Sequence, residues 1–188
     1  YDFYLNQKNY EFEEIEKFTK EYIEKYKNSI FVKTLELMFS TYLYKESKFE
    51  ELLSHVKKIE KKYKYNNFDY PYIIYYKAIG YEKSGKDSKA FREYLTLWSK
   101  YPNFKLIKNV EKKIKSSNKG IPKKFKVNRL QKLFENRDYK LFKKEYKPYN
   151  DSLKILRAQL FLMNNNAKRG LEILNNISEK DRSKRKIN

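Results

Sequence analysis

Cysteine is absent from the 188 residues. A disulfide framework, a thiolate zinc site and a cysteine nucleophile are thereby excluded, while the compartment stays open. Glycine and proline are scarce, with four of each. That is too few for the tight turns of a β-sandwich or barrel and favours long helices joined by short turns. The single histidine, His55, has no partners at ligand spacing, so it is expected to be structural or superficial rather than a metal ligand or an acid–base catalyst. Apolar runs are short and broken by Lys or Glu, so no segment is expected to cross a bilayer. Residue 1 is Tyr. The chain is therefore expected to be a mature product or a shortened one, with any signal peptide or lipid-attachment site in the part removed.

Acidic residues are also under-represented. The net charge is +20, from 44 Lys and Arg against 24 Asp and Glu. Residues 1–50, with 8 basic and 10 acidic side chains, carry −2, residues 51–100 carry +5, residues 101–150 carry +12 and residues 151–188 carry +5. Such a field attracts nucleic acid, anionic lipid, cell-wall polymer or an acidic protein. Composition offers a second explanation. Lysine far outnumbers arginine, and Asn, Tyr, Ile and Phe are abundant, as in the product of an AT-rich genome. Nucleic-acid readers tend to prefer Arg, whose planar fork pairs with phosphate and guanine.

A repeat emerges on alignment. Phe12–Tyr26, Phe49–Tyr63 and Asp87–Tyr101 superpose with a period of about 37 residues, the sign of one supersecondary unit stacked on copies of itself. The third unit, residues 69–102, is the clearest. Asp69 is placed to cap its first helix, Pro71 fits the first turn, Gly85 ends that helix, Asp87 is placed to cap the second, and Pro102 stops the pair. Ile74, Ala78 and Tyr81 share one face, opposite Ala90, Tyr94 and Leu97, and the two alanines permit close approach. In the second unit Ser40 and Leu43 mark the first helix and Leu52, Val56 and Ile59 the second, with Ser47 and Glu50 at capping-box spacing. The first unit keeps its second helix, with Tyr1–Leu5 as the end of the first.

Beyond Pro102, residues 105–116 read as one more amphipathic helix, with Leu106, Ile107, Val110 and Ile114 on its apolar side. Residues 117–125 form a breaker. Two weaker pairs follow over residues 126–178: Leu130 and Leu133 face Tyr139, Phe142 and Tyr146, and Ala158 and Phe161 face Gly170 and Leu174. Residues 179–188 are a polar, basic tail.

The third unit resembles a tetratricopeptide repeat. Ala78, Ala90, Tyr81, Tyr94 and Pro102 occupy that family's small, aromatic and proline places, and Ile74 stands where it usually has Trp. Lys100–Asn103 is similar to unit endings in the helical-repeat regions of bacterial envelope proteins, including outer-membrane assembly lipoproteins and the superhelical part of soluble lytic transglycosylases. The resemblance implies an all-α fold: a right-handed stack of four to five antiparallel pairs plus one extra helix, placed in the cell envelope or periplasm.

For a family of this kind the first helices line a concave groove. Here that face would offer Leu37, Thr41, Tyr44, Tyr72, Tyr75 and Ile79, side chains able to anchor a partner, although packing against a neighbouring repeat is an equal use for each tyrosine. A second candidate surface is Lys105, Lys108, Lys112, Lys113, Lys115, Lys119, Lys123, Lys124 and Lys126, opposite an apolar stripe, where a solvated face is the plainer reading. Gly80–Asp87 approaches a phosphate loop, but Asp87 stands where Ser or Thr would hold magnesium, and a helix precedes it. Glu11, Glu13, Glu14 and Glu16 read as a solvated helix face, with Glu13–Lys17 and Glu16–Lys20 at ion-pair spacing. The expectation is a non-catalytic scaffold without cofactor or metal that grips another protein in the aromatic groove. The alternative is weak binding of nucleic acid or anionic polymer by residues 105–126.

Overall fold

The computed structural model describes residues 11–177, and more than two-thirds of these are helical, with no strand among them. The helices are α1 (Phe12–Lys25), α2 (Val32–Lys45), α3 (Phe49–Lys62), α4 (Tyr70–Lys83), α5 (Asp87–Lys100), α6 (Ile107–Ser116), α7 (Lys123–Glu135), α8 (Tyr139–Glu145), α9 (Asp151–Met163) and α10 (Ala167–Asn175). Helix α1 packs on α2, α2 on α3, α3 on α4, α7 on α8 and α9 on α10. The expected second helices of the three units start at Phe12, Phe49 and Asp87 as the spacing requires. The expectations for Tyr1–Leu5 and for residues 179–188 lie outside the described residues.

One turn recurs four times and defines the repeat at the backbone. Ser47 (φ 59°), Gly85 (φ 67°), Arg137 (φ 61°) and Asn165 (φ 56°) each stand alone in the left-handed region between two helices. The next residue donates its N–H five positions back: Lys48 to the Leu43 carbonyl (3.0 Å), Lys86 to Tyr81 (2.8 Å), Asp138 to Leu133 (2.9 Å) and Asn166 to Phe161 (2.9 Å). This reversal closes a helix and satisfies its last carbonyls. It joins α2 to α3, α4 to α5, α7 to α8 and α9 to α10. Ser47 therefore serves as the turn residue, and the expected capping box with Glu50 does not form: α3 starts after Lys48 with no side-chain cap. Two other expected caps also differ. Asp87 lies within the first turn of α5. Asp69 makes no side-chain cap, and Asn66 instead closes the turn just before α4, its Oδ1 accepting the N–H groups of Phe68 and Asp69 at 2.9 Å each.

The chain divides into two compact units, Tyr1–Leu97 and Trp98–Asn188, with the boundary inside α5. Of the expected linker, residues 117–125, residues 117–122 lie between α6 and α7 and residues 123–125 form the first turn of α7.

In the first unit α3 shows the amphipathic rule plainly. Leu52, Leu53, Val56 and Ile59 are buried, and lysines occupy the opposite side. Helix α4 is apolar nearly all round. Pro71, Ile73, Ile74, Tyr75, Tyr76, Ala78, Ile79 and Gly80 are all buried, as a helix with neighbours on several sides must be. Helices α2 and α4 also touch directly, and α3 packs against both. Polar groups tie the helices together: Lys77 Nζ reaches both Glu60 oxygens at 2.9 Å and Glu93 at 3.3 Å, and Tyr94 Oη donates to Glu82 at 2.6 Å. On α1, Glu16 pairs with Lys20 at 2.6 Å as expected, and Lys17 pairs with Glu21 at 4.0 Å.

His55 is half-buried. Its Nε2 lies 2.9 Å from the Glu36 carbonyl oxygen, and the ring stands edge-on to Phe39 at 5.3 Å. Burial holds its pKa below the ordinary imidazole value. This is an interhelical structural histidine, locking α3 to α2.

The second unit is built round Leu130, Leu133, Phe142, Leu153 and Leu160. Helices α7 and α8 pack together, as do α9 and α10, and α7 touches α9. Ala158 and Gly170 are both buried at the α9–α10 contact, the small-residue pairing expected there.

Candidate anion-binding cleft

The lysines of α3 come in two doublets one turn apart, Lys57-Lys58 and Lys61-Lys62. The buried positions Leu52, Val56 and Ile59 turn that side of the helix outward. The α4–α5 turn then places Ser84 and Lys86 across from it. Together with Glu50, Leu53 and Ser54, these residues line a cleft of about 820 Å³. Five lysines and one glutamate make its lining strongly positive. Lys62 is tied down: its Nζ is 3.7 Å from buried Glu36 and lies over the Tyr63 ring, and the hydrogen bond with Tyr63 raises its pKa. Lys57 rests over the Tyr81 ring at 4.9 Å. Lys58, Lys61 and Lys86 make no ion pair among the described residues. Lysine holds phosphate as a point charge, so three cations remain for an anion.

The aromatic groove expected from the sequence is not an open row. Tyr75 and Ile79 are each only 6% exposed, and a side chain already covered by its own protein cannot anchor a partner. Tyr75 packs edge-on against Tyr76. The Thr41 hydroxyl is engaged, donating to the Leu37 carbonyl at 3.3 Å and accepting from Tyr76 Oη at 2.8 Å. Tyr44 lies 5.7 Å from the Tyr76 ring. Burial pushes the Tyr76 phenol up to about 12. Leu37, Thr41 and Tyr72 are half-buried, and of the six expected residues Tyr44 alone is exposed. The face is mostly the seam where α2 meets α4.

The other expected surface is solvent-facing. Lys105, Lys108, Lys112, Lys113, Lys115, Lys119, Lys123 and Lys124 are exposed, Lys126 is half-buried, and Val110 and Ile114 of α6 point inward. These lysines spread over the approach to α6, the helix itself, the following loop and the start of α7. The concave lysine site is the one on α3. The two doublets at residues 57–58 and 61–62 were the sequence signal for it. Lys86 carried no such signal, because only the turn brings it there.

Gly80–Asp87 runs from the end of α4 through the positive-φ turn at Gly85 into α5, so no phosphate-loop geometry arises. Among the described residues no group of three or more acidic or histidine side chains is placed to hold a metal, and no helix is long and apolar enough to cross a membrane. No protein-family model matches this sequence, and no curated protein or solved structure matches it either.

Proposed function

We propose that this chain is a non-catalytic, tetratricopeptide-like binding module whose ligand is an extended anionic chain held in the α3 cleft. The observation that carries the reading is the concentration of five lysines in one concavity of about 820 Å³. The lining offers point charges and the Ser54 hydroxyl, the Ser84 hydroxyl being spent on the Gly80 carbonyl at 2.7 Å, but no aromatic face for a base. That suits a phosphate backbone and not a base sequence. The likeness to envelope helical repeats makes an anionic polymer of the cell envelope one ligand of this kind.

The test is a titration with a fluorescent single-stranded oligonucleotide and with poly(glycerol phosphate), across a salt series. Affinity should fall with log salt with a slope of about 0.7 per phosphate contacted on a single strand, and should not depend on base sequence. Changing Lys58, Lys61 and Lys86 together to Glu should abolish binding, while the same change at Lys108, Lys112 and Lys115 should weaken it only through the general field. Equal losses from the two triple variants, or a sequence-selective complex, would sink the reading.

A protein partner is the second reading, and one observation favours it. Ile30 and Phe68 are 83% and 84% exposed, and each stands two residues before a first helix, α2 and α4. Large apolar side chains repeated at one place in successive units suit a protein contact. Changing both to Ser should remove partner capture and leave the fold intact.

A further inference from the structure

Two arginines of the second unit have opposite surroundings. Arg129 on α7 is 1% exposed, and every nitrogen of its guanidinium is matched. Nε donates to Glu145 at 2.7 Å, Nη2 to Glu145 at 2.9 Å and Glu111 at 3.1 Å, and Nη1 to the Trp98 carbonyl at 2.8 Å. The group also lies over the Trp98 ring at 4.6 Å. Its role is structural and complete.

Arg157 on α9 has the rings without the acceptors. Its guanidinium carbon lies 5.1 Å from the Tyr146 ring centre and 4.8 Å from that of Phe161. Nη1 is shut off from solvent with no hydrogen-bond partner. No carboxylate pairs with the group among the described residues. An always-charged fork left without an acceptor is costly, and the two rings hold it in place.

Arg157 also lines two neighbouring hollows. One, of about 230 Å³, adds Lys143; the other, of about 450 Å³, adds Lys154, Arg169 and Glu172. Arg169 lies over the same Phe161 ring at 5.9 Å. Lys154 is neutralised by Asp151 at 2.6 Å, and Glu172 is the one carboxylate on the lining. Lys143 and Arg169 remain, two cations without an ion pair on either side of the Arg157 guanidinium.

We propose that this cleft is a recognition site for a phosphate monoester. Arg157, where the two hollows meet, supplies the fork through its Nε–Nη2 edge. Tyr146 and Phe161 keep it in place, and Arg169 from the larger hollow and Lys143 from the smaller neutralise the second charge. A carboxylate would use the fork and leave both flanking cations unmatched, so a dianion fits better. The site stands on its own residues and does not depend on the α3 cleft.

The experiment uses the whole chain, with inorganic phosphate, glycerol phosphate and acetate as probes, followed by calorimetry and by the arginine Nε–Hε resonances. Both phosphates should bind saturably and shift the Arg157 signal while leaving that of Arg129 in place. Tighter binding of glycerol phosphate than of inorganic phosphate would mark an ester as the ligand, and the reverse order would overturn that choice. Arg157→Gln should weaken binding by about tenfold or more, the value of hydrogen bonds to a charged group. Arg157→Lys should recover only part, because the fork is lost. If Arg157→Gln unfolds, the exposed pair Lys143→Gln and Arg169→Gln gives the same test and should also weaken binding. The triple change at Lys58, Lys61 and Lys86 should weaken phosphate binding here only through the general field and far less than Arg157→Gln does, which separates this site from the α3 cleft. Acetate binding as tightly as phosphate, no saturable phosphate binding, or unchanged binding in the Arg157 and Lys143/Arg169 variants would overturn the proposal.

Discussion

Gly80 of α4 faces Leu53 of α3 so closely that an added Cβ would stand 2.7 Å from the Leu53 Cβ and 3.2 Å from its Cα. Carbon atoms rest at about 3.5–4.0 Å. The shortfall is therefore roughly 1 Å, and it falls on the root of a side chain. A rotamer change can move Leu53 Cδ1 but not its Cβ, so α3 itself must give way. Two terms compete in Gly80→Ala. Alanine favours the helix by about 1 kcal/mol, and overpacking costs about 1–3 kcal/mol. The net expectation is a loss of up to about 2 kcal/mol, nearer the upper end because the clash falls on Leu53 Cβ and Cα. Gly170→Ala supplies the contrast. There the nearest atoms are the Leu162 side chain at 3.1 Å, with the Ala158 carbonyl at 3.3 Å. Leu162 is 43% exposed, so it can swing outward, and the propensity term should win by about 0.5 kcal/mol. Urea denaturation followed by circular dichroism measures both. Gly80→Ala should lower the midpoint and Gly170→Ala should leave it unchanged or raise it. Because Leu53 lines the α3 cleft, Gly80→Ala should also weaken oligonucleotide binding, whereas Gly170→Ala should not. A Gly80→Ala variant as stable as the parent would show that α3 and α4 are not packed this tightly.

Three further outcomes follow from other contacts. His55 is held neutral by burial, so the unfolded chain binds its proton first; stability is full above about pH 6.5 and falls as pH drops from there towards the lower folded value. His55→Gln should flatten denaturation midpoints between pH 7 and 5, and an unchanged slope would refute this. For Arg129, the bidentate partner should outweigh the half-exposed one: Glu145→Ala should cost about 2–4 kcal/mol and Glu111→Ala less than about 1 kcal/mol in urea unfolding, and equal costs would contradict the geometry. Arg137 holds a left-handed conformation that costs an L-residue about 1 kcal/mol or more, so Arg137→Gly should raise the thermal midpoint, and a drop would mean that its side chain is needed.

Spacing and patterning alone determined the helices. Phe12, Phe49 and Asp87 start equivalent segments, the apolar positions of α3 and α6 recur at helical intervals, and Gly85 sits where only a left-handed turn lets two helices reverse. These are local properties, decided by backbone sterics and by the one face that must leave water. Tertiary structure decided everything that depends on which neighbour covers which face. Helix α4 is apolar on nearly all sides, so its sequence could not say that Tyr75 and Ile79 would be core. Direct packing of α2 on α4 settled it, as packing settled the use of Thr41. Ser47 and Glu50 have the letters of a capping box, yet the turn needed Ser47 at positive φ. Lysine doublets show in the sequence, but a concavity needs Lys86 delivered by a turn more than twenty residues away. The arginines show this most clearly: Arg129 and Arg157 are the same residue on similar helices, and only the placement of Glu145, Glu111 and the Trp98 carbonyl satisfies the first and leaves the second facing a cleft with its charge unmatched.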